Sequence, residues 1–154
     1  MRLLPALVLS VCCVSAIADE LSPILNITRE DIVKVYDGDT IYINYPGNPK
    51  PPDILGKNLG IRLIGIDTPE MKSHCETKEQ KSAERRHALE AQAFLDQRIK
   101  FGKNIELHDL KRDKFFRLDA TLYIDGININ ELMIEKGYAI KYEGEAKSDH
   151  WCKL

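Results

Sequence analysis

A chain of 154 residues with 22 basic and 24 acidic side chains, a formal net charge of -2, has the size of one domain and lacks the basic surplus of a general nucleic-acid binder. Any polyanion must be held at a local site, by a few arginines or a cation, and not by the field of the whole molecule. Its longest apolar run is shorter than the roughly 20 residues of a membrane span, and no second stretch approaches that length.

That run comes first. Arg2, an apolar stretch from Leu3 to Val14 and the Ala16-Ile17-Ala18 signature read as a signal peptide over residues 1–18, cleaved after Ala18. The domain is then expected over 19–154, with its core about 30–145, in a secreted or periplasmic protein that keeps no membrane contact. Losing Arg2 takes the net charge from -2 to -3. Cleavage also removes Cys12 and Cys13, leaving Cys75 and Cys152. An even pair in an oxidising compartment suggests a disulfide. Free thiols, or a zinc site completed by His74 and His150, are the alternatives.

The stretches "IVKVY" and "TIYINY", joined at Asp37-Gly38-Asp39, read as a hairpin. Pro46 to Gly60 reads as a loop, with four prolines and three glycines. "IRLIGI" is the third strand, and a helix is expected over about Glu79–Arg98. Its core face is assigned to Ala83, Leu89, Ala93, Phe94 and Ile99, with Lys81, Glu84, Arg85, Glu90, Gln92 and Gln97 in solvent. "NIELHDL" and "DATLYID" are further strands, and "INELMIEKG" is a short helix stopped by Gly137. Five strands and two helices make a small α+β domain.

Chemistry gathers at strand ends. Asp37-Gly38 is a favoured turn pair, and Thr68-Pro69-Glu70 resembles a helix start. Each is ordinary turn chemistry taken singly. Together Asp37, Asp39, Asp67 and Glu70 are four acids on strands that can be neighbours. Clustered carboxylates raise one another's pKa unless a cation sits among them, and oxygen donors suit calcium or magnesium. The Asp-x-Asp spacing is not an EF-hand, because the later acids of that loop are missing. Arg62 interrupts an apolar strand, where an ordinary salt bridge is the plain explanation, and "KRDKFFR" supplies further cations around Phe115 and Phe116. A cation and two guanidiniums around one phosphate make a recognisable frame for phosphoryl chemistry.

These residues fall into four ordered motifs: "DGDT" at 37–40, "RLIGIDTPE" at 62–70, "RDKFFR" at 112–117 and "DGININELMIEKGYA" at 125–139. In that order and spacing the chain resembles the staphylococcal nuclease (thermonuclease) family from about Ile32 to Tyr142. The resemblance implies an OB-fold, a five-stranded β-barrel with packed helices, and calcium-dependent hydrolysis of DNA and RNA. It implies Asp39, Asp67 and the Thr68 carbonyl as Ca2+ ligands, and Glu70 as the carboxylate that activates the attacking water. Arg62 and Arg117 are implied as the catalytic phosphate clamp, and Lys114 and Phe115 as residues lining the nucleotide pocket. Phe116 departs from the family, standing where glycine is frequent. The Pro46–Gly60 and Met71–Glu79 segments are longer than in compact members.

The expectation is an exported, calcium-dependent, sequence-nonspecific nuclease acting as a monomer on DNA and RNA. The alternative is a catalytically inactive OB-fold module that binds nucleic acid or protein. The presence of all five residues, Asp39, Arg62, Asp67, Glu70 and Arg117, favours the enzyme.

Overall fold

The computed structural model describes residues 24–47, 51–113, 117–144 and 149–153. The signal segment and the pocket residues Lys114 and Phe115, with Phe116, lie outside these. Among the described residues the strands are β1 (Leu25–Ile27), β2 (Ile32–Val35), β3 (Thr40–Ile43), β4 (Leu59–Leu63), β5 (Ile66–Asp67), β6 (Ile105–Arg112), β7 (Leu118–Ile124), β8 (Ile127–Asn128) and β9 (Ile140–Lys141). The helices are α1 (Asp53–Gly56), α2 (Lys78–Phe101) and α3 (Ile129–Glu135), with 3-10 turns at Arg29–Asp31 and His150–Lys153. No described helix is long and apolar enough to cross a membrane.

The main sheet runs β1-β6-β7-β4-β3-β2, with β8 added beside β7, and β5 pairs separately with β9. β4 and β7 are parallel, while β2–β3, β3–β4 and β6–β7 are antiparallel. This curled mixed sheet with its helices has the α+β, OB-fold architecture. The five expected strands correspond to β2, β3, β4, β6 and β7, and the four short ones escaped the sequence. "IRLIGI" is not one strand. Gly65, at φ +76°, turns the chain in a conformation that favours glycine, so β4 ends at Leu63 and β5 leaves to pair with β9. The expected loop 46–60 contains the single turn α1.

Ile41 and Ile43 of β3, Ile61 and Leu63 of β4, Leu107 of β6 and Leu122 of β7 close on Leu95 and Ile99 of α2 and on Ile129 and Met133 of α3. Each such side chain contributes about 1.5–3 kcal/mol on burial. Thr77 caps α2 in a capping box with Gln80, the Thr77 hydroxyl accepting from the Gln80 amide at 3.2 Å. Buried Asn130 ties α3 to the sheet: its Nδ2 donates to the Ile64 carbonyl at 2.8 Å and its Oδ1 accepts from Leu122 N at 3.0 Å.

The face of α2 differs from expectation. Its buried stripe is Glu84, Ala88, Ala91, Leu95 and Ile99, while Leu89 and Ala93 are exposed. Glu84, read as solvated, is 0% exposed. Gln92, also placed in solvent, donates from Nε2 to the Val35 and Tyr36 carbonyls at 3.0 and 2.9 Å. Hydrogen bonds to backbone let polar side chains occupy positions where apolar ones were sought.

Candidate active site

The hairpin β2–β3 delivers Asp39 and the β4–β5 bend delivers Asp67. Tyr36 N donates to the Thr40 carbonyl at 2.8 Å, and Asp37 Oδ1 accepts from Asp39 N at 3.1 Å. Asp37 thus fills the turn role the plain explanation gave it. Asp39 points inward, 1% exposed. Its Oδ1 meets Arg62 Nη1 at 2.5 Å and the Thr40 hydroxyl at 3.0 Å, and its Oδ2 accepts from Thr68 N at 3.2 Å and Thr68 Oγ1 at 3.0 Å. Arg62 can reach because it stands opposite Thr40 in the β3–β4 ladder. Its Nη2 lies 3.8 Å from Asp67 Oδ1.

One guanidinium therefore lies between two buried carboxylates. Burial pushes the Asp39 carboxyl from 3.8 up to about 7, and the negative charge of Asp37 adds to the rise. Arg62 and the hydrogen bonds from Thr40 and Thr68 pull the other way. Arg62 alone does not hold Asp39 in the ordinary carboxylate range, so the pocket disfavours bare negative charge. Hard oxygen donors in such a pocket fit calcium or magnesium. Among the described residues no third acid joins Asp39 and Asp67 within mutual ligand distance. Asp39 and Asp67 are the two buried carboxylates here that could hold such an ion.

Glu70 and Arg117 complete the arrangement. Both line a cleft of about 820 Å³ together with Arg62, Asp37 and Thr40. Arg117 is steered by Asp113, whose carboxylate accepts from Arg117 N and Nε, both at 2.9 Å. It crosses β4 at Gly60, where a Cβ would lie 3.1 Å from Arg117 Cγ. Asp119, paired with Arg62 across β4–β7, has its carboxyl pushed up by burial and by the charge of Asp113, against the nearby cations. The structure thus brings Arg62, Glu70 and Arg117 to one cleft and sets Asp39, Asp67 and Thr68 behind it.

Cys75 and Cys152 form a disulfide, with Cα atoms 5.5 Å apart. The zinc alternative is set aside, because the two sulfurs are bonded to each other. The bond brings the C-terminal 3-10 turn against the site: Trp151 Nε1 donates to Asp67 Oδ2 at 3.1 Å. Sequence reasoning missed Trp151, Asp113, Gly60 and the tyrosines Tyr36, Tyr42 and Tyr142 that line the cleft. Asp113 lay inside a quoted motif and its i, i+4 spacing to Arg117 was a usable signal. A contact between residues 67 and 151 had none.

Comparisons with known proteins follow the same lines. A family model described as staphylococcal nuclease homologue matches residues 60–153, more than half of the chain, though the Asp37–Thr40 turn precedes it. The chain is 33% identical over 119 residues to an uncharacterised protein of Bacillus anthracis, covering 75% of this chain and 48% of that protein. It is 34% identical over 99 residues to a probable endonuclease of Schizosaccharomyces pombe (60% and 40%). With the SPbeta prophage-derived endonuclease YokF of Bacillus subtilis it shares 31% over 109 residues (69% and 31%). The chain spans about half, or less, of the length of these relatives.

Proposed function

This chain belongs to the staphylococcal nuclease homologue family, and from that premise we propose that it is an exported, calcium-dependent nuclease that hydrolyses DNA and RNA phosphodiesters without sequence preference. The observation that carries this reading is the convergence of Arg62, Glu70 and Arg117 on one cleft, in front of buried Asp39 and Asp67. In this reading Asp39, Asp67 and the Thr68 carbonyl hold Ca2+, which when bound supplies positive charge against the phosphate.

The remaining work falls to the chain's own side chains. Arg62 and Arg117 grip the non-bridging phosphate oxygens with paired N–H donors and stabilise the charge that builds as phosphorus becomes five-coordinate. Glu70 orients a water and takes its proton as the oxygen bonds to phosphorus, and the bond to the leaving sugar oxygen breaks. Asp113 fixes the direction of Arg117. Lys114 and Phe115 hold the nucleotide, Phe115 by stacking, which tolerates any base. Contacts to phosphate carry no sequence information.

Export rests on the signal segment 1–18, with cleavage after Ala18, and is supported by the disulfide, which suits an oxidising compartment. The mature domain, 19–154, acts as a monomer in the periplasm or outside the cell.

The test is hydrolysis of single-stranded DNA, duplex DNA and RNA by the mature protein with calcium, magnesium or a chelator. Cleavage is expected with calcium, to vanish on chelation, and to fall about 10²–10³-fold or more in Glu70→Ala. Binding without cleavage under every metal condition would replace this reading with a recognition module.

A further inference from the structure

Glu84 has no part in the mechanism above, yet it is 0% exposed. A carboxylate is rarely buried so completely unless something in the fold uses its charge or its lone pairs. Among the described residues no cation lies within ion-pair distance of it. Two contacts define its surroundings. Oε1 accepts from the backbone N–H of Glu70 at 3.1 Å, and Oε2 lies 3.1 Å from Cys75 Sγ. A disulfide sulfur has no proton to donate, so the Glu70 amide is the hydrogen-bond donor that offsets the burial of Glu84.

We propose that Glu84 is a positioning residue for Glu70: it fixes the backbone of Glu70 to α2 and so aims the Glu70 carboxylate into the cleft. Glu70 lies beyond β5 and ahead of α2, in a segment without regular structure from Thr68 to Thr77, so no sheet ladder or helix sets its backbone. α2 is rigid, capped at Thr77 and packed into the core through Ala88, Ala91, Leu95 and Ile99. A hydrogen bond from that helix to the Glu70 amide transfers the rigidity to the catalytic carboxylate. The disulfide closes the other side, seating Cys75 against Oε2 and limiting the rotamers open to Glu84.

A residue acting through another has a distinct signature. Glu84→Met removes the acceptor at nearly constant volume, and Glu84→Gln keeps an oxygen for the Glu70 amide. The inference rests on the nuclease reading. With calcium and single-stranded DNA, Glu84→Met is expected to lower kcat about 10–100-fold, the range for loss of an orienting partner, with KM little changed. Glu84→Gln is expected to recover most of that loss. In a Glu70→Ala background Glu84→Met should cost nothing further, because its effect passes through Glu70.

Losses that multiply in the double variant, or an unchanged kcat in folded Glu84→Met, would overturn the proposal. Native-state hydrogen exchange on the unsubstituted protein needs neither activity nor a variant. The Glu70 amide should be protected although its segment has no regular structure, and exchange as fast as an open loop would overturn the proposal even if Glu84→Met fails to fold. Should the chain cleave nothing, the nuclease reading falls by itself and the exchange result still decides whether Glu84 holds Glu70.

Discussion

At Gly38 one hydrogen atom sets the geometry of the acidic turn. A Cβ there would lie 2.9 Å from Ala91 Cβ and 2.9 Å from Thr68 Cγ2, and neither atom is the free end of a flexible side chain. Gly38 is not among the residues with positive φ, so the Asp-Gly pair does not follow the left-handed hairpin logic that its sequence suggests. Glycine is needed because α2 and Thr68 crowd the turn. Gly38→Ala is therefore expected to destabilise the protein by about 1–3 kcal/mol through overpacking, read as a lowered Tm. It should also reduce turnover, since Thr68 holds Asp39 Oδ2 through two hydrogen bonds. An unchanged Tm would mean that the turn yields freely and that its packing does not position Asp39. Gly60 makes the contrast: its nearest neighbour is the bendable Arg117 side chain at 3.1 Å, so a methyl there should disturb Arg117 more than stability.

Elements were legible in the sequence where their pattern is local. The five main strands lie where Ile, Val, Leu and Tyr cluster between turn residues, and α3 stops at Gly137, whose φ is +76°. The acids and Arg62 were legible because each stands at a strand end or interrupts an apolar strand. What escaped depends on partners far along the chain. The buried stripe of α2 begins with a glutamate whose acceptor role requires the Glu70 amide, and β5 exists only because β9 comes back to it. At the β7–β8 turn, Asp125 accepts from Lys103 N at 3.0 Å and Asn104 N at 2.9 Å, joining this turn to the segment that follows α2. Those backbone hydrogen bonds hold its pKa below 3.8. Because the folded-state pKa is the lower, the stabilisation is present above the ordinary carboxylate pKa and is lost as pH falls through the depressed value. Asp125→Asn should therefore be less stable than the unsubstituted protein at about pH 6, and the gap should close at a second, acidic pH where the carboxyl is protonated in both the folded and unfolded states. Urea midpoints at the two pH values measure it, and a gap that persists in acid would rule out the charged form as its source.

At the scale of the whole molecule, the disulfide joins residues 77 apart in sequence and carries the last described turn back to Asp67. Loop-closure entropy for a span of that length amounts to roughly 4 kcal/mol against the unfolded state, so Cys75→Ser/Cys152→Ser should lose stability on that scale. The local consequence is more telling. Trp151 is held by its N–H to Asp67 Oδ2 and is 4% exposed, and it is the only tryptophan in the chain. Its fluorescence therefore reports one contact. If the disulfide is what keeps the His150–Lys153 turn in place, reduction of the folded protein should shift Trp151 emission to the red while far-ultraviolet circular dichroism keeps its helix and strand signal. In the mature protein, without Cys12 and Cys13, the thiol count should rise from zero to two over the same time course. Asp67 then loses a hydrogen bond that orients its carboxylate, so on the proposed reading of Asp67 as a Ca2+ ligand, calcium affinity measured by titration calorimetry should weaken in step. Emission that stays blue while both thiols become titratable would show that packing of this turn on α2 is enough to hold it, and that the covalent bond serves stability alone.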